Sequence, residues 1–303
     1  MRVSYSPGYV APIPEGHIFP MKKFCGLYEY LIHHGIIKPK HVIEPKMADF
    51  SSLCSAHTIR YSQGVWEGNL TNKEIRRMGL PWSKGLAVRS RLAVQGTINA
   101  SIMALEDGLS GNLAGGTHHA MPDHGEGFCV FNDVAVAIRV LKFAKWIKKI
   151  LIIDCDVHQG NGNAEIFKDD DDVYTFSIHG EKNYPFKKPP STLDIGLEDG
   201  TGDKEYLLNL ENALKKIFSE FEPDLVYYLA GIDPLKSDHF GRLSLTLKGL
   251  RERENIVLET VIKKGKPIVL LLSGGYAPTL SETVEAHAIL FSMAKKISLP
   301  LFH

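Results

Sequence analysis

Ile152-Ile153-Asp154-Cys155-Asp156-Val157-His158-Gln159-Gly160-Asn161-Gly162 is the stretch whose reading decides the fold. An apolar run, Lys149 to Asp154, has the length and composition of a buried strand and leads straight into two carboxylates and an imidazole. In extended backbone, Asp154, Asp156 and His158 point to one side and Cys155 and Val157 to the other. Leaving such groups unpaired at the end of a buried strand costs roughly 2–7 kcal/mol each. A cation satisfies them well, whereas a lone Asp-x-His is first read as a hydrogen-bonded strand end.

Outward from that stretch, Val173 to Ser177, Leu225 to Ala230 and Ile268 to Ser273 have the same strand character. Val134 to Lys148, Lys204 to Phe221 and Leu247 to Lys264 carry apolar residues at helical spacing, and Met21 to His34 and Gly85 to Leu105 also read as helices. Strands alternating with helices predict an α/β fold: a single domain over 1–303 with a mostly parallel central sheet flanked by helices. In such sheets the ligand site lies beyond the carboxyl ends of the strands. The Pro-rich segment Pro7 to Pro20 is of a kind that often forms surface loops near a pocket mouth, but packing filler is the safer reading. The Asp169–Asp172 run reads as a solvated turn, and Lys142 to Lys149, with Trp146 and Ile147, as an amphipathic surface helix.

Composition narrows the class of function. Thirty-five basic and thirty-five acidic residues cancel, so the electrostatic stripe needed for direct nucleic-acid binding is missing. With 44% apolar residues the chain can bury a core, which excludes a disordered protein. The start lacks the pattern of a secretory signal, and Ile268–Leu272 is too short to span a bilayer, so a soluble, cytoplasmic protein is expected. Cys25, Cys54, Cys129 and Cys155 form no Cys-x-x-Cys pair and read as reduced, mostly buried thiols. The Asn69-Leu70-Thr71 glycosylation match reads as chance.

Three further clusters bear chemistry. Gly231-Ile232-Asp233-Pro234-Leu235-Lys236-Ser237-Asp238 follows an apolar strand, so Asp156 and His158 with Asp233 or Asp238 form a two-carboxylate, one-imidazole site with an open position. Gly115-Gly116-Thr117-His118-His119 puts adjacent imidazoles in a turn where backbone can approach a ligand, with Gly125-x-Gly127-Phe128 close behind. Ser273-Gly274-Gly275-Tyr276 presents a phenol at another strand end.

Together and in this order, the four clusters resemble the zinc-dependent histone deacetylase and acetylpolyamine amidohydrolase family of the arginase–deacetylase fold. Details such as His158-Gln159-Gly160-Asn161-Gly162 look most like the class IV deacetylases. The resemblance implies that Asp156, His158 and Asp238 hold zinc, with Asp233 in support behind them. It makes His118 and His119 the tandem histidines and Tyr276 the donor to the substrate carbonyl oxygen. A structural potassium ion is implied at the Asp154 side chain, Ser177, the Ile178 carbonyl and the carbonyls of Asp156 and His158. A second such site is implied at carbonyls of Phe167, Asp170 and Val173. Gly127, Phe128 and Tyr184 would wall a narrow channel for an acyl-lysine stem.

Amide hydrolysis explains why such residues are needed. Zinc polarises the carbonyl and lowers the pKa of water from about 15.7 toward 7. Two carboxylates cancel most of the ion's charge, so a general base is required, and His119 is the candidate. Asn161, uncharged, would raise the His119 pKa less than a carboxylate would, while Asp154 should favour an imidazolium at His118. The expected activity is hydrolysis of acetyl-lysine or a longer fatty acyl-lysine in a protein or peptide, or of an acylated polyamine. Softness does not separate zinc from Fe2+ or Co2+. The competing readings are an arginase-like hydrolase with paired manganese ions and a non-catalytic acyl-lysine-binding scaffold. No membrane partner is expected, and the location is the cytoplasm, with access to the nucleus if the source is eukaryotic.

Overall fold

The computed structural model describes residues 1–298. The chain begins with β1 (Arg2–Ser4), α1 (Lys23–His33), β2 (Val42–Ile43), α2 (Phe50–Cys54), α3 (Ile59–Glu67), α4 (Asn72–Met78) and the long α5 (Lys84–Asp107). Alternation follows: β3 (Leu109–Asn112), α6 (Asp133–Phe143), β4 (Ile150–Asp154), α7 (Asn161–Phe167), β5 (Val173–Gly180) and β6 (Leu193–Leu197). The last third holds α8 (Asp203–Glu220), β7 (Leu225–Leu229), α9 (Leu247–Lys263), β8 (Ile268–Leu271) and α10 (Leu280–Ser298). Among the described residues all eight strands pair in parallel in one sheet, ordered β2-β1-β3-β8-β7-β4-β5-β6. The single-domain α/β expectation holds, with "mostly parallel" becoming wholly parallel.

Every residue of β4, β7 and β8 is buried, as helices on both faces of a parallel sheet require. The edges are blunted: β2 has two residues and β6 alternates in exposure. Capping sets the helix starts: the Asn132 side chain accepts the Ala135 amide at 2.8 Å, and Thr246 Oγ1 accepts the Gly249 amide at 3.0 Å. From β4 the chain crosses to β5 on one side, whereas from β7 it crosses to β8 on the other. The crevice between the carboxyl ends of β4 and β7 is thus the topological switch point where ligands bind.

The helix expected to run to Lys148 stops at Phe143. Residues 144–148 turn, with Lys145 at φ +60°, and the Asp224 carboxylate accepts the amides of Lys148 and Lys149 at 2.8 Å each. Those amides are no longer free for helical bonds, so the reading of Lys142–Lys149 as a surface helix is corrected to a helix end and a turn. Ile147 is buried and Trp146 exposed. Asp170 of the acidic run pairs with Arg139 and Lys142, anchoring that turn to α6. All four cysteines are free; Cys129 and Cys155 are buried, Cys25 and Cys54 half-buried. No helix among the described residues is long and apolar enough to cross a membrane.

Candidate active site

The backbone leaves the ladder after Asp154, and two carboxylate-closed turns then shape it. Asp154 Oδ1 accepts the Asp156 amide at 3.1 Å, and Asp156 Oδ1 accepts the His158 amide at 3.0 Å. Each is a side chain replacing a ladder partner two residues on. Convergence of the three groups therefore comes from successive turns, not from the extended alternation expected of a strand. Cys155 and Val157 face the core and are fully buried.

From the end of β7, Asp233 enters the same point. One donor atom each from Asp156, His158 and Asp233 lies within 4.8 Å of the others. His158 Nδ1 is 3.0 Å from Asp156 Oδ1 and 3.4 Å from Asp233 Oδ2. Asp233 Oδ1 accepts the Val157 amide, but its buried Oδ2 accepts no hydrogen bond. Asp238 does not join them. Its Oδ1 accepts the amides of Phe240 and Gly241, and its Oδ2 accepts the Tyr276 amide at 2.7 Å. The cluster therefore forms with Asp233 and not with Asp238, which carries three backbone amides and tethers the Tyr276 turn.

Charge makes the same point. Burial opposes charge on His158, yet Asp156 and Asp233 push its pKa up to about 10, while burial and Asp156 push the Asp233 carboxyl above its ordinary range. Two carboxylates and an imidazole packed this closely, one oxygen orphaned, form a donor set that a divalent cation fits.

The tandem histidines face this cluster from the loop after β3. Asp133, at the start of α6, accepts the amides of Gly116 and Thr117 and the hydroxyls of Thr97 and Thr117, fixing that loop. Gly116 sits at φ +78°, and a Cβ there would meet the Ser273 amide nitrogen at 2.9 Å, so the close approach of the two loops needs glycine. His118 Nδ1 bonds Asp154 Oδ2 at 2.7 Å, and His119 Nδ1 bonds Asn161 Oδ1 at 2.6 Å. Burial disfavours charge on His118, but Asp154 and Asp156 outweigh it and raise the pKa to about 9. For His119, burial and the neighbouring His118 and His158 push the pKa well below the imidazole value. The two rings, with centroids 4.1 Å apart, are thus driven to opposite protonation states.

These groups floor a cavity of about 330 Å³ walled by Phe19, Phe128, Phe240 and Tyr276. Burial and the carboxylates of Asp233 and Asp156 hold the Tyr276 phenol well above 10, so it remains a donor. Tyr184 stands edge-on to His119 at 5.1 Å, and Gly127 at φ +56° leaves room that a Cβ, 2.4 Å from His119 Cδ2, would take.

The histone deacetylase domain family matches residues 17–290. The chain belongs to the histone deacetylase family. An uncharacterized protein of Picosynechococcus is 45% identical over 97% of this chain and 98% of its own length. Histone deacetylase 2 of Arabidopsis thaliana is 30% identical, covering 94% of this chain and 76% of its own. A solved histone deacetylase homologue in complex with SAHA superposes with a TM-score of 0.81 at 27% identity, over 98% of this chain and 83% of that one. Family and fold together imply a deacetylase-type amidohydrolase.

Several residues that line the cavity of this member of the histone deacetylase family are not singled out by sequence pattern. Lys23 is buried against the cavity, its Nζ donating to the Ser273 carbonyl at 3.0 Å, and Arg89 reaches the same inner end from α5. Burial pushes Lys23 down to about 8 against the pull of Asp233 and Asp156. Both cations fall inside stretches, Met21 to His34 and Gly85 to Leu105, that read only as helices. The Pro-rich segment read as filler delivers Phe19 to the wall. Of the residues named for potassium, Ser177 lies beside Asp154 in the β4–β5 register, Ile178 follows it buried, and the Ser177 hydroxyl bonds His179. The carbonyls of Phe167 and Asp170 accept the amides of Asp170 and Val173.

Proposed function

We propose that the chain is a metal-dependent deacylase that hydrolyses the amide of acetyl-lysine, or of a longer acyl-lysine, in a peptide or protein. The observation that carries this reading is the meeting of Asp156 and His158, on the floor of an aromatic-walled cavity that also holds His118, His119 and Tyr276, with the fully buried Asp233 behind them. Asp156, His158 and Asp233 would hold the ion, zinc being the reading, with Fe2+ or Co2+ compatible with the same donors. A divalent ion there supplies polarisation of the amide carbonyl and acidification of water.

The chain's own residues do the rest. Phe128, Phe240 and Tyr276 exclude water from the lysine stem and leave its polar backbone end outside. His119, neutral at pH 7 and with Nδ1 committed to Asn161, takes the proton of the attacking water at Nε2 and returns it to the leaving amine. His118, held as imidazolium by Asp154, contributes fixed positive charge. Tyr276 donates its hydroxyl to the oxygen that gains charge. Class IV character and the structural potassium ion belong to the same proposal. The potassium reading is supported by the Asp154–Ser177 register; because both side chains are already hydrogen-bonded, it is tested by comparing thermal melts in potassium and choline chloride.

Metal-replete protein is assayed on fluorogenic acetyl-, octanoyl- and myristoyl-lysine peptides and on acetylated polyamine. Turnover of a lysine peptide supports the reading, and preference for the polyamine moves the substrate class. No turnover with binding retained overturns it in favour of a scaffold. Two manganese ions per chain overturn it in favour of an arginase-like hydrolase.

A further inference from the structure

We propose that Glu126 is a positioning residue for His119, acting through the Asn161 carboxamide to decide which imidazole nitrogen carries the proton. The proposal rests on the reading of His119 as the base. A carboxamide is two-faced: turned one way it offers Nδ1 of His119 an acceptor, turned the other way a donor, and the two faces fill the same space. With an acceptor at Nδ1 the ring holds its proton there and keeps Nε2 free for the water. With a donor at Nδ1 the proton moves to Nε2, and the base is lost without a change in shape.

What breaks the tie is behind Asn161. Its Nδ2 lies 2.5 Å from Glu126 Oε1, and an ionised carboxylate only accepts, so the amide group is pinned toward Glu126. Asn161 Oδ1 is then the atom facing His119 Nδ1, at 2.6 Å. Glu126 is itself 3% exposed and surrounded by donors: Arg77 Nε at 2.8 Å and His124 Nε2 at 3.3 Å on Oε2, with Tyr184 close by. Burial opposes its charge, but bonds from His124, Tyr184, Asn161 and Arg77 outweigh burial and hold the carboxyl at about 2, so it stays an acceptor at any working pH. The line Arg77–Glu126–Asn161–His119 therefore runs from the last turn of α4 through the Gly125–Gly127 loop and the first residue of α7 to the base. A carboxylate directly behind His119 would need no such arrangement, because both its oxygens accept.

The test uses that last difference. Glu126→Met removes the acceptor at similar length, and Asn161→Asp is then added to it. Expected are a loss of at least tenfold in kcat on an acetyl-lysine peptide at pH 8 for Glu126→Met, with KM within threefold, and recovery to within threefold of the starting protein in the double variant. A double variant no faster than the single overturns the proposal, since a packing role for Glu126 gives no reason for recovery. Should Glu126→Met not fold, Glu126→Gln and Glu126→Gln with Asn161→Asp carry the same comparison. Independently of turnover, 15N spectra of histidine-labelled protein should report His119 protonated at Nδ1 in the starting protein and in the double variant, and a shift toward Nε2 in the single. An unshifted His119 overturns the proposal. If no peptide is turned over while the His119 signal shifts as stated, the deacylase reading fails and the role of Glu126 stands.

Discussion

His119 and Tyr276 carry the sharpest consequences at the scale of single residues. His119→Ala should lower kcat by about 10²–10⁴ while the ion stays bound, read by metal analysis alongside the peptide assay; near-normal rates would remove it as the base. Tyr276→Phe should cost roughly 10²–10³ in kcat with little change in KM, the pattern of a donor engaged only as charge develops. The pH profile follows from direction. Because the His119 pKa is pushed below 6.5, its free base is present above that value and is lost only as pH falls through the lower one. A cation beside it pushes the same way. The acid limb of kcat/KM should thus lie below pH 6.5, and a limb centred above 7 would contradict the assignment. At this scale the sequence was informative about residue type and less so about partners. Asp233 and Asp238 are both carboxylates past the same strand; only the amides of Phe240, Gly241 and Tyr276, reached by folding, tell which one is already engaged.

At the scale of elements, the site depends on two strand ends being held at one spacing, and α9 does this from beneath. The fully buried Arg253 donates through Nη1 to the Cys155 carbonyl at 3.1 Å and the Gly231 carbonyl at 2.7 Å, which lie just before the turns that carry Asp156 and Asp233. Glu254 balances its charge at 2.6 Å and in turn bonds the Tyr228 hydroxyl. Arg253→Met strands the buried Glu254 carboxylate and frees both turns. It should cost about 3–5 kcal/mol in chemical denaturation. It should also weaken metal binding by roughly 10–100-fold in competition with a chelator. Unchanged metal affinity in a folded variant would show that the turns hold their spacing without it. In sequence Arg253 is one polar position within the amphipathic stretch Leu247 to Lys264. Helical periodicity reports which face is buried, not what a buried guanidinium does there.

For the whole molecule, an ion bound by the Asp156–His158–Asp233 cluster would link binding energy to folding energy. Metal at about one hundred times its dissociation constant should stabilise the protein by about 2.7 kcal/mol, read as a higher Tm with zinc than after chelation; coincident melts would mean no folded-state site. Strands β4, β5, β7 and β8 were legible because continuous apolar runs have no other place than the middle of a covered parallel sheet. The short β1, β2 and β3 and the edge strand β6 were not: Leu109-Ser110-Gly111-Asn112 has no strand character of its own and is a strand because β1 and β8 pair with it. By itself the sequence determined the α/β class, the strand ends that bear chemistry and the residue types of the site, all of which follow from local pattern. The tertiary structure alone decided that Asp233 rather than Asp238 meets His158, that Lys23 and Arg89 close the inner end, and that Glu126 stands behind Asn161. Those outcomes depend on which groups distant in the chain satisfy one another's hydrogen bonds and charge once buried, and that is a property of the fold rather than of any window along the chain.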